Sequence, residues 1–214
     1  MIHRSNFFDN FGQVVSKYPG VDFSDMFSKG QMDSKRWLVD ALIEINIDLG
    51  TIFLCAGWYG SLATFLFESG LSIEKIRSFD IDPSCADVAD TFNRSWTMDN
   101  WRFKASTLDI CNMTFPLNYS TNRVSGTSCE LTDMPDTIIN TSCEHINNFS
   151  DWYSSLPVNT LLVMQSNDFF EIDEHVNCSK DLNDFDRLVP MSRVLYLDEL
   201  KLPKYSRFMK IGYK

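Results

Sequence analysis

The chain has 214 residues, 44% hydrophobic and 14% aromatic, enough to bury one substantial core, and the length favours one domain with an appendage. Lys and Arg total 19 against 29 Asp and Glu, a formal net charge of -10, so a phosphate backbone repels the protein on average and a nucleic-acid substrate is disfavoured. Six dispersed cysteines without a C-x-x-C pair, no run of about 18 apolar residues, and a start (Met1-Ile2-His3-Arg4-Ser5-Asn6) unlike a signal peptide lead us to expect a soluble cytoplasmic protein with reduced thiols and no membrane partner.

Residues 1–50 read as a helical extension packed on a main domain spanning 51–214. Phe7, Phe8, Phe11, Val14 and Val15 form an amphipathic stretch that Pro19-Gly20 breaks, and these rings either pack a leading helix onto a sheet or floor a pocket. Trp37, Ala41, Leu42 and Ile45 recur at helical spacing behind Asp33-Ser34, the expected cap. Thr51 to Ala56 is a buried strand, Gly57-Trp58-Tyr59-Gly60 a tight turn, and Ser61 to Glu68 a helix stopped by Gly70. Ile73 to Asp80 is the second strand. Pro83 opens a helix from Ser84 to about Trp96, and Trp101 to Ala105 is the third strand.

Asn112 to Asp133, rich in Asn, Ser, Thr and Gly, reads as a loop or short hairpin that overhangs the strand ends. Thr137 to Asn140 and Thr160 to Gln165 are the fourth and fifth strands, around a short helix from Ser150 to Leu156. Val194 to Leu197 and Phe208 to Tyr213 flank Pro203 as a closing antiparallel hairpin. Lys201, Lys204, Arg207, Lys210 and Lys214 crowd this end, either as solvated positions on edge strands or as a local basic patch. The fold expected is α/β: a three-layer sandwich with a seven-stranded, mostly parallel sheet, an antiparallel last strand and N-terminal helices.

In an open parallel sheet, ligands bind outside the carboxyl ends of the strands. Here the first strand ends in Gly57 and Gly60, which let a backbone approach a ligand; the second ends Phe79-Asp80-Ile81-Asp82-Pro83, and the third segment ends Leu108-Asp109. An acid at the second strand end can accept both hydroxyls of a ribose, so an adenosine-containing ligand is expected. Asp80 is a better ribose partner than Asp82, because Ile81 then points back into the core. Each acid has an alternative as a helix cap, and Asp109 has one as turn chemistry.

From Thr51 to Tyr213 the order of elements and these strand-end signals resemble the class I S-adenosylmethionine-dependent methyltransferases. The resemblance implies S-adenosylmethionine as cofactor, S-adenosylhomocysteine as product and a small or medium-sized acceptor. It implies Gly57 and Gly60 near the methionine part, Asp80 on the ribose and Asp109 on the adenine amino group, with Cys55, Trp58, Ile81, Leu108 and Asn140 as further cofactor contacts. Asn140 to Ile146 then faces the transferred methyl, with His145 as the base, since a free imidazole titrates near neutrality, and Glu144 as the alternative.

Cys55 stands where the family's acid-x-Gly-x-Gly-x-Gly carries its acid, and the turn holds two bulky rings. The cofactor's ammonium is then held differently, or the turn is structural, with its rings packed on the N-terminal helices, and the chain is an inactive relative serving binding or assembly. A third reading is another sulfonium reaction, aminocarboxypropyl transfer or sulfonium cleavage; a nicotinamide-binding Rossmann protein fits less well, without G-x-G-x-x-G. Gln165-Ser166-Asn167-Asp168 either orients a polar substrate or solvates a strand end. Cys143, His145, His175 and Cys178 are zinc-ligand types, but their spacing matches no compact motif and no metal is expected. There is no Asp/Asn-Pro-Pro-Tyr/Phe or Pro-Cys segment of the DNA-modifying enzymes and no phosphate-binding Gly-x-x-x-x-Gly-Lys-Ser/Thr loop. Oligomeric state is not legible.

Overall fold

The computed structural model describes residues 7–123 and 125–214; the N-terminal hexapeptide read above for a leader lies outside the described residues. In chain order the elements are α1 (Phe7–Lys17), α2 (Lys29–Ile45), β1 (Gly50–Cys55), α3 (Ser61–Glu68), β2 (Ile73–Asp80), α4 (Cys85–Phe92), α5 (Arg94–Thr97) and β3 (Phe103–Thr107). There follow β4 (Leu117–Asn122), β5 (Ser128–Asp133), β6 (Thr137–Asn140), α6 (Phe149–Ser155), β7 (Leu161–Asn167), α7 (Leu182–Leu188), β8 (Arg193–Lys201) and β9 (Ser206–Tyr213). Seven strands form one sheet in the order β3-β2-β1-β6-β7-β9-β8, and β9 alone runs antiparallel to its neighbours. The strand order reverses between β1 and β6, which is where a doubly wound sheet opens a crevice at its carboxyl edge.

Apolar residues cover both faces of the sheet. On one, Leu38, Leu42, Leu62 and Leu66 from α2 and α3 pack on Ile52, Leu54 and Ile76; on the other, Phe149, Trp152 and Phe185 from α6 and α7 pack on Phe53, Ile138 and Leu162. Phe7 and Phe11 of α1 meet Phe92 of α4 edge-on at 5.5 and 6.2 Å and Val14 is buried, so this part of the stripe is packing, whereas Phe8 and Val15 are exposed. α2 starts earlier than its sequence suggested: the Ser28 hydroxyl accepts the Gln31 N–H at 3.4 Å, while Asp33 pairs with Lys29 and Ser34 donates to Gln165 at 2.8 Å. Neither Asp33 nor Ser34 is left to cap.

Three further boundaries differ for physical reasons. The helix expected to run to Trp96 breaks at Asn93, whose buried amide donates to the carbonyls of Gly60 and Ala89 and accepts from Thr64. The third strand begins at Phe103, because Asn100 and Trp101 take left-handed φ values of 52° and 55°. α7 went unread: Asp181 caps it by accepting the Asp184 N–H at 2.8 Å, and it is held by one fully buried ring, Phe185.

The segment before β6 is a hairpin, but it does not overhang the strand ends. Leu117, Tyr119 and Thr121 alternate inward along β4, Tyr119 meets Phe79 edge-on at 5.3 Å, and the hairpin lies against the sheet. The basic C-terminal stretch is not a patch either. β9 is an interior strand, so Arg207 and Lys210 are buried, Lys210 pairing with Asp186 at 2.6 Å and Arg207 with Glu144 at 3.0 Å.

Asp133 ties the hairpin to β2 by accepting Arg77 Nε at 2.9 Å, Lys75 Nζ at 2.7 Å and the Tyr119 hydroxyl at 2.8 Å. Burial pushes its pKa up, but Lys75, Arg77 and Tyr119 outweigh that and hold the carboxyl below its ordinary value. Its contribution is therefore full above the unfolded pKa near 4 and is lost as pH falls through the lower folded value. Asp133→Asn, which leaves Arg77 buried without its partner, is expected to cost about 3 kcal/mol at pH 7 and less at pH 3. Denaturant midpoints at the two pH values measure this.

Candidate active site

β1 ends at Cys55 in the middle of the sheet, and the chain leaves it through a turn in which Ala56 and Trp58 have φ of 53° and 48°. Such conformations cost a non-glycine residue roughly 1 kcal/mol or more each and persist only where the surroundings hold them. Three bonds do so: Gly57 N–H to the Phe79 carbonyl at 3.0 Å, Trp58 N–H to Asp80 Oδ2 at 2.8 Å, and Gly60 N–H to the Gly57 carbonyl at 2.9 Å. Gly57 lies so close to β2 that a Cβ there would overlap the Ser78 hydroxyl. Gly60, at φ +71°, would set a Cβ 2.7 Å from the Asn93 amide. The rings of Trp58 and Tyr59 stack at 4.7 Å, and Tyr59 meets Phe23 at 5.4 Å, which joins the turn to the N-terminal segment.

This turn borders a crevice of about 580 Å³ at the carboxyl edge of the sheet. Seven of the residues singled out from sequence line it together: Gly57, Trp58, Asp80, Ile81, Leu108, Asp109 and His145. Trp58 forms part of its wall without filling it. Asp80 Oδ1 also accepts the Asp82 N–H at 3.0 Å, and both oxygens retain acceptor capacity. Ile81 does not point into the core as strand alternation suggested; the strand has ended at Asp80, and Ile81 is 68% exposed at the crevice. Asp109 accepts the Cys111 N–H and the Asn112 amide, each at 2.9 Å, so it caps a short 3-10 turn while lining the crevice.

Cys55, Gly60, Asn140 and Glu144 do not line it. Cys55 is buried, and burial pushes its thiol pKa up, so it stays neutral. Gly60 packs on α4, and Asn140 is buried with its side-chain Oδ1 accepting the Ser142 N–H at 2.8 Å. Glu144 is buried beneath a second recess of about 550 Å³ that shares Asp25, Gln31, Ser142 and His145 with the first. Its Oε1 accepts from Arg207 Nη2 at 3.0 Å and Asn167 Nδ2 at 2.6 Å. Phe169 stacked on Tyr205 at 5.3 Å and the side chains of Ile172 and Leu202 give this recess an apolar wall. Gln165, Ser166 and Asn167 are buried in bonds of this kind and do not solvate the strand end.

Sequence reading missed Asp25, Gln31, Lys35 and Arg207. Lys35 lies on the buried stripe of α2, three residues before Leu38 and seven before Leu42, and that spacing was the available signal. Its Nζ donates to Gln31 Oε1 at 2.6 Å. Burial first, and the charge of Arg207 second, lower its pKa to about 8 against the opposing effect of Asp25.

No protein-family model and no curated protein matches the chain in sequence. Among solved structures it is similar to the N-methyltransferase NodS from Bradyrhizobium japonicum WM9, with TM-score 0.60 and 9% identity over 88% of this chain and 98% of that one. It is also similar to magnesium protoporphyrin IX methyltransferase from Synechocystis PCC 6803 with bound S-adenosylhomocysteine, with TM-score 0.55 and 13% identity over 98% of this chain and 95% of that one. A third likeness is geranyl diphosphate methyltransferase in complex with S-adenosylmethionine, with TM-score 0.58 and 9% identity over 86% of this chain and 85% of that one. The fold is thus the Rossmann-like fold of the S-adenosylmethionine-dependent methyltransferases.

Lys35 is charged at neutral pH in a site that favours the neutral form. That cost is full below about pH 8 and is relieved as pH rises toward the unfolded value near 10.5. Lys35→Met is expected to be more stable than wild type by roughly 1–3 kcal/mol at pH 7, with the gap narrowing by pH 10, as thermal melts at both pH values would reveal.

Proposed function

We propose that the protein transfers the methyl group of S-adenosylmethionine to a small or medium-sized acceptor, with the adenosyl group in the crevice and the acceptor in the adjoining recess. One observation carries this reading: carboxylates from the ends of β2 and β3 meet the turn after β1 around one cavity, which continues into a second recess past His145. The crevice volume suits a ligand of that size. In this reading Asp80 accepts the ribose hydroxyls, Ile81 and Leu108 cover the adenine and Asp109 accepts from its amino group. The backbone N–H groups at the start of α3, where Ser61 and Leu62 line the crevice, suit the methionine carboxylate. Asp25 is the carboxylate available for the ammonium in place of the acid missing at Cys55.

S-adenosylmethionine supplies a methyl group on a sulfonium that is already a good leaving group. The residues of the chain have to align the acceptor, exclude water and handle one proton. His145, exposed at the junction of the two cavities, is where that proton would be handled. The matched proteins named for geranyl diphosphate and magnesium protoporphyrin IX support a small-molecule acceptor, as does the net charge of -10, which disfavours nucleic acid.

Calorimetry with S-adenosylhomocysteine tests the reading. Wild type is expected to bind it, and Asp80→Asn to bind it about 10- to 100-fold more weakly with an unchanged circular dichroism spectrum, the effect of one charge-assisted hydrogen bond. No heat at millimolar ligand would contradict the proposal. Methylthioadenosine as the turnover product, in place of S-adenosylhomocysteine, would assign the site to another sulfonium reaction.

A further inference from the structure

In the second recess, where His145 joins it to the first, Glu144, His145 and His175 each bring one potential ligand atom to within 4.8 Å of the others. The two imidazoles lie with ring centroids 4.6 Å apart and their planes at 83°. His145 and Glu144 come from the short turn after β6, and His175 from the long connection after β7. No sequence spacing announces them, because the fold alone brings the two segments together.

Two independent details point to a ligand. Glu144 is 1% exposed; its Oε1 is fixed by Arg207 and Asn167, but its Oε2 is buried without a hydrogen-bond partner. A buried carboxylate oxygen without a partner costs free energy. His175 Nδ1 lies 2.6 Å from the Phe169 carbonyl oxygen, which can only accept. The proton therefore belongs on Nδ1, and Nε2 keeps its lone pair. A backbone carbonyl on one ring nitrogen is the arrangement that orients a metal-binding histidine.

We propose that Glu144, His145 and His175 bind one divalent transition-metal ion, with a coordination position left open to an oxygen of the acceptor. Two imidazoles and one carboxylate suit zinc and its neighbours in the first transition row, whereas magnesium and calcium prefer oxygen alone. Ligand atoms about 2.0–2.2 Å from a tetrahedral ion stand about 3–4 Å apart, so closure needs only a small movement of the exposed His145 ring. Arg207 bonded to Glu144 and Lys35 nearby oppose a dication. The same charges suit an acceptor oxygen that reacts as an anion.

This inference rests on the methyl-transfer reading and narrows the acceptor to an oxygen nucleophile, a hydroxyl or enol. Coordination makes the acceptor O–H acidic, and His145 then serves as a ligand instead of as a free base. The O–H proton leaves to solvent, the oxygen forms the new C–O bond, and the C–S bond breaks with its electron pair passing to sulfur. The products are the methyl ether and neutral S-adenosylhomocysteine.

The test uses the full chain, stripped with a chelator and titrated with Co2+, whose visible bands report its coordination. One equivalent is expected to bind, with the bands shifting when acetohydroxamate, a small oxygen chelator, occupies the open position. His175→Ala and His145→Ala, at partly exposed and exposed positions, are each expected to weaken Co2+ binding at least about 100-fold, and Glu144→Gln likewise wherever its circular dichroism matches wild type. No binding by wild type, or undiminished binding by both histidine variants, overturns the site; bands indifferent to acetohydroxamate overturn the open position. Calorimetry with S-adenosylhomocysteine on the same samples separates the two readings. Cofactor binding without metal sinks this inference alone, whereas metal binding without cofactor leaves the site standing and removes its part in methyl transfer.

Discussion

The hydrogen bond from the Trp58 N–H to the Asp80 carboxylate is the constraint from which the rest of the site follows. Together with the Gly57 N–H on the Phe79 carbonyl, it folds the turn after β1 against the end of β2 and holds Ala56 and Trp58 in left-handed conformations. Without this clamp a tryptophan would leave that region at little cost. With it, the backbone passes low over the sheet and leaves the strand ends open as one cavity. The Leu108 N–H on the Asp80 carbonyl, at 2.8 Å, extends the same connection to the segment after β3 that carries Asp109. One half-buried acid thus organises the crevice while lining it.

The N-terminal segment completes the enclosure. α2 shares the core beneath β1, and the same segment presents Asp25, Gln31 and Lys35 to the cavity. The network from Ser34 through Gln165 and Arg207 to Glu144 then links α2 with β7, β9 and the turn after β6. Buried charges of this sort are costly unless satisfied, and Arg207 and Glu144 meet that cost in part by pairing with each other beside the second recess. A lysine held near its pKa and a carboxylate with one unpartnered oxygen both lie at the carboxyl edge of the sheet, where the two cavities open.

Much of the fold was legible because its strands are short apolar runs bounded by turn residues, and because alternation of strands with helices leaves few topologies open. Tyr119 and Leu117 were harder to read, since polar neighbours on the outer face of the hairpin masked their alternation. The boundary at Asn93 and the cap at Ser28 depend on partners distant in the chain, Gly60 and Thr64 in one case and, through Ser34, Gln165 in the other. Ile81 was misread because strand alternation applies only while the strand lasts. On the site, the strand-end residues Gly57, Asp80 and Asp109 carry a local signal, whereas Lys35, Arg207 and His175 acquire meaning only where α2, β9 and the connection after β7 converge.

A crystal structure of the protein with S-adenosylhomocysteine is the most direct measurement. The account predicts the ribose hydroxyls at about 2.6–3.2 Å from the Asp80 carboxylate, and the adenine between Ile81 and Leu108 with its amino group on Asp109. Ligand density elsewhere, or a crevice left empty at saturating ligand, would contradict it.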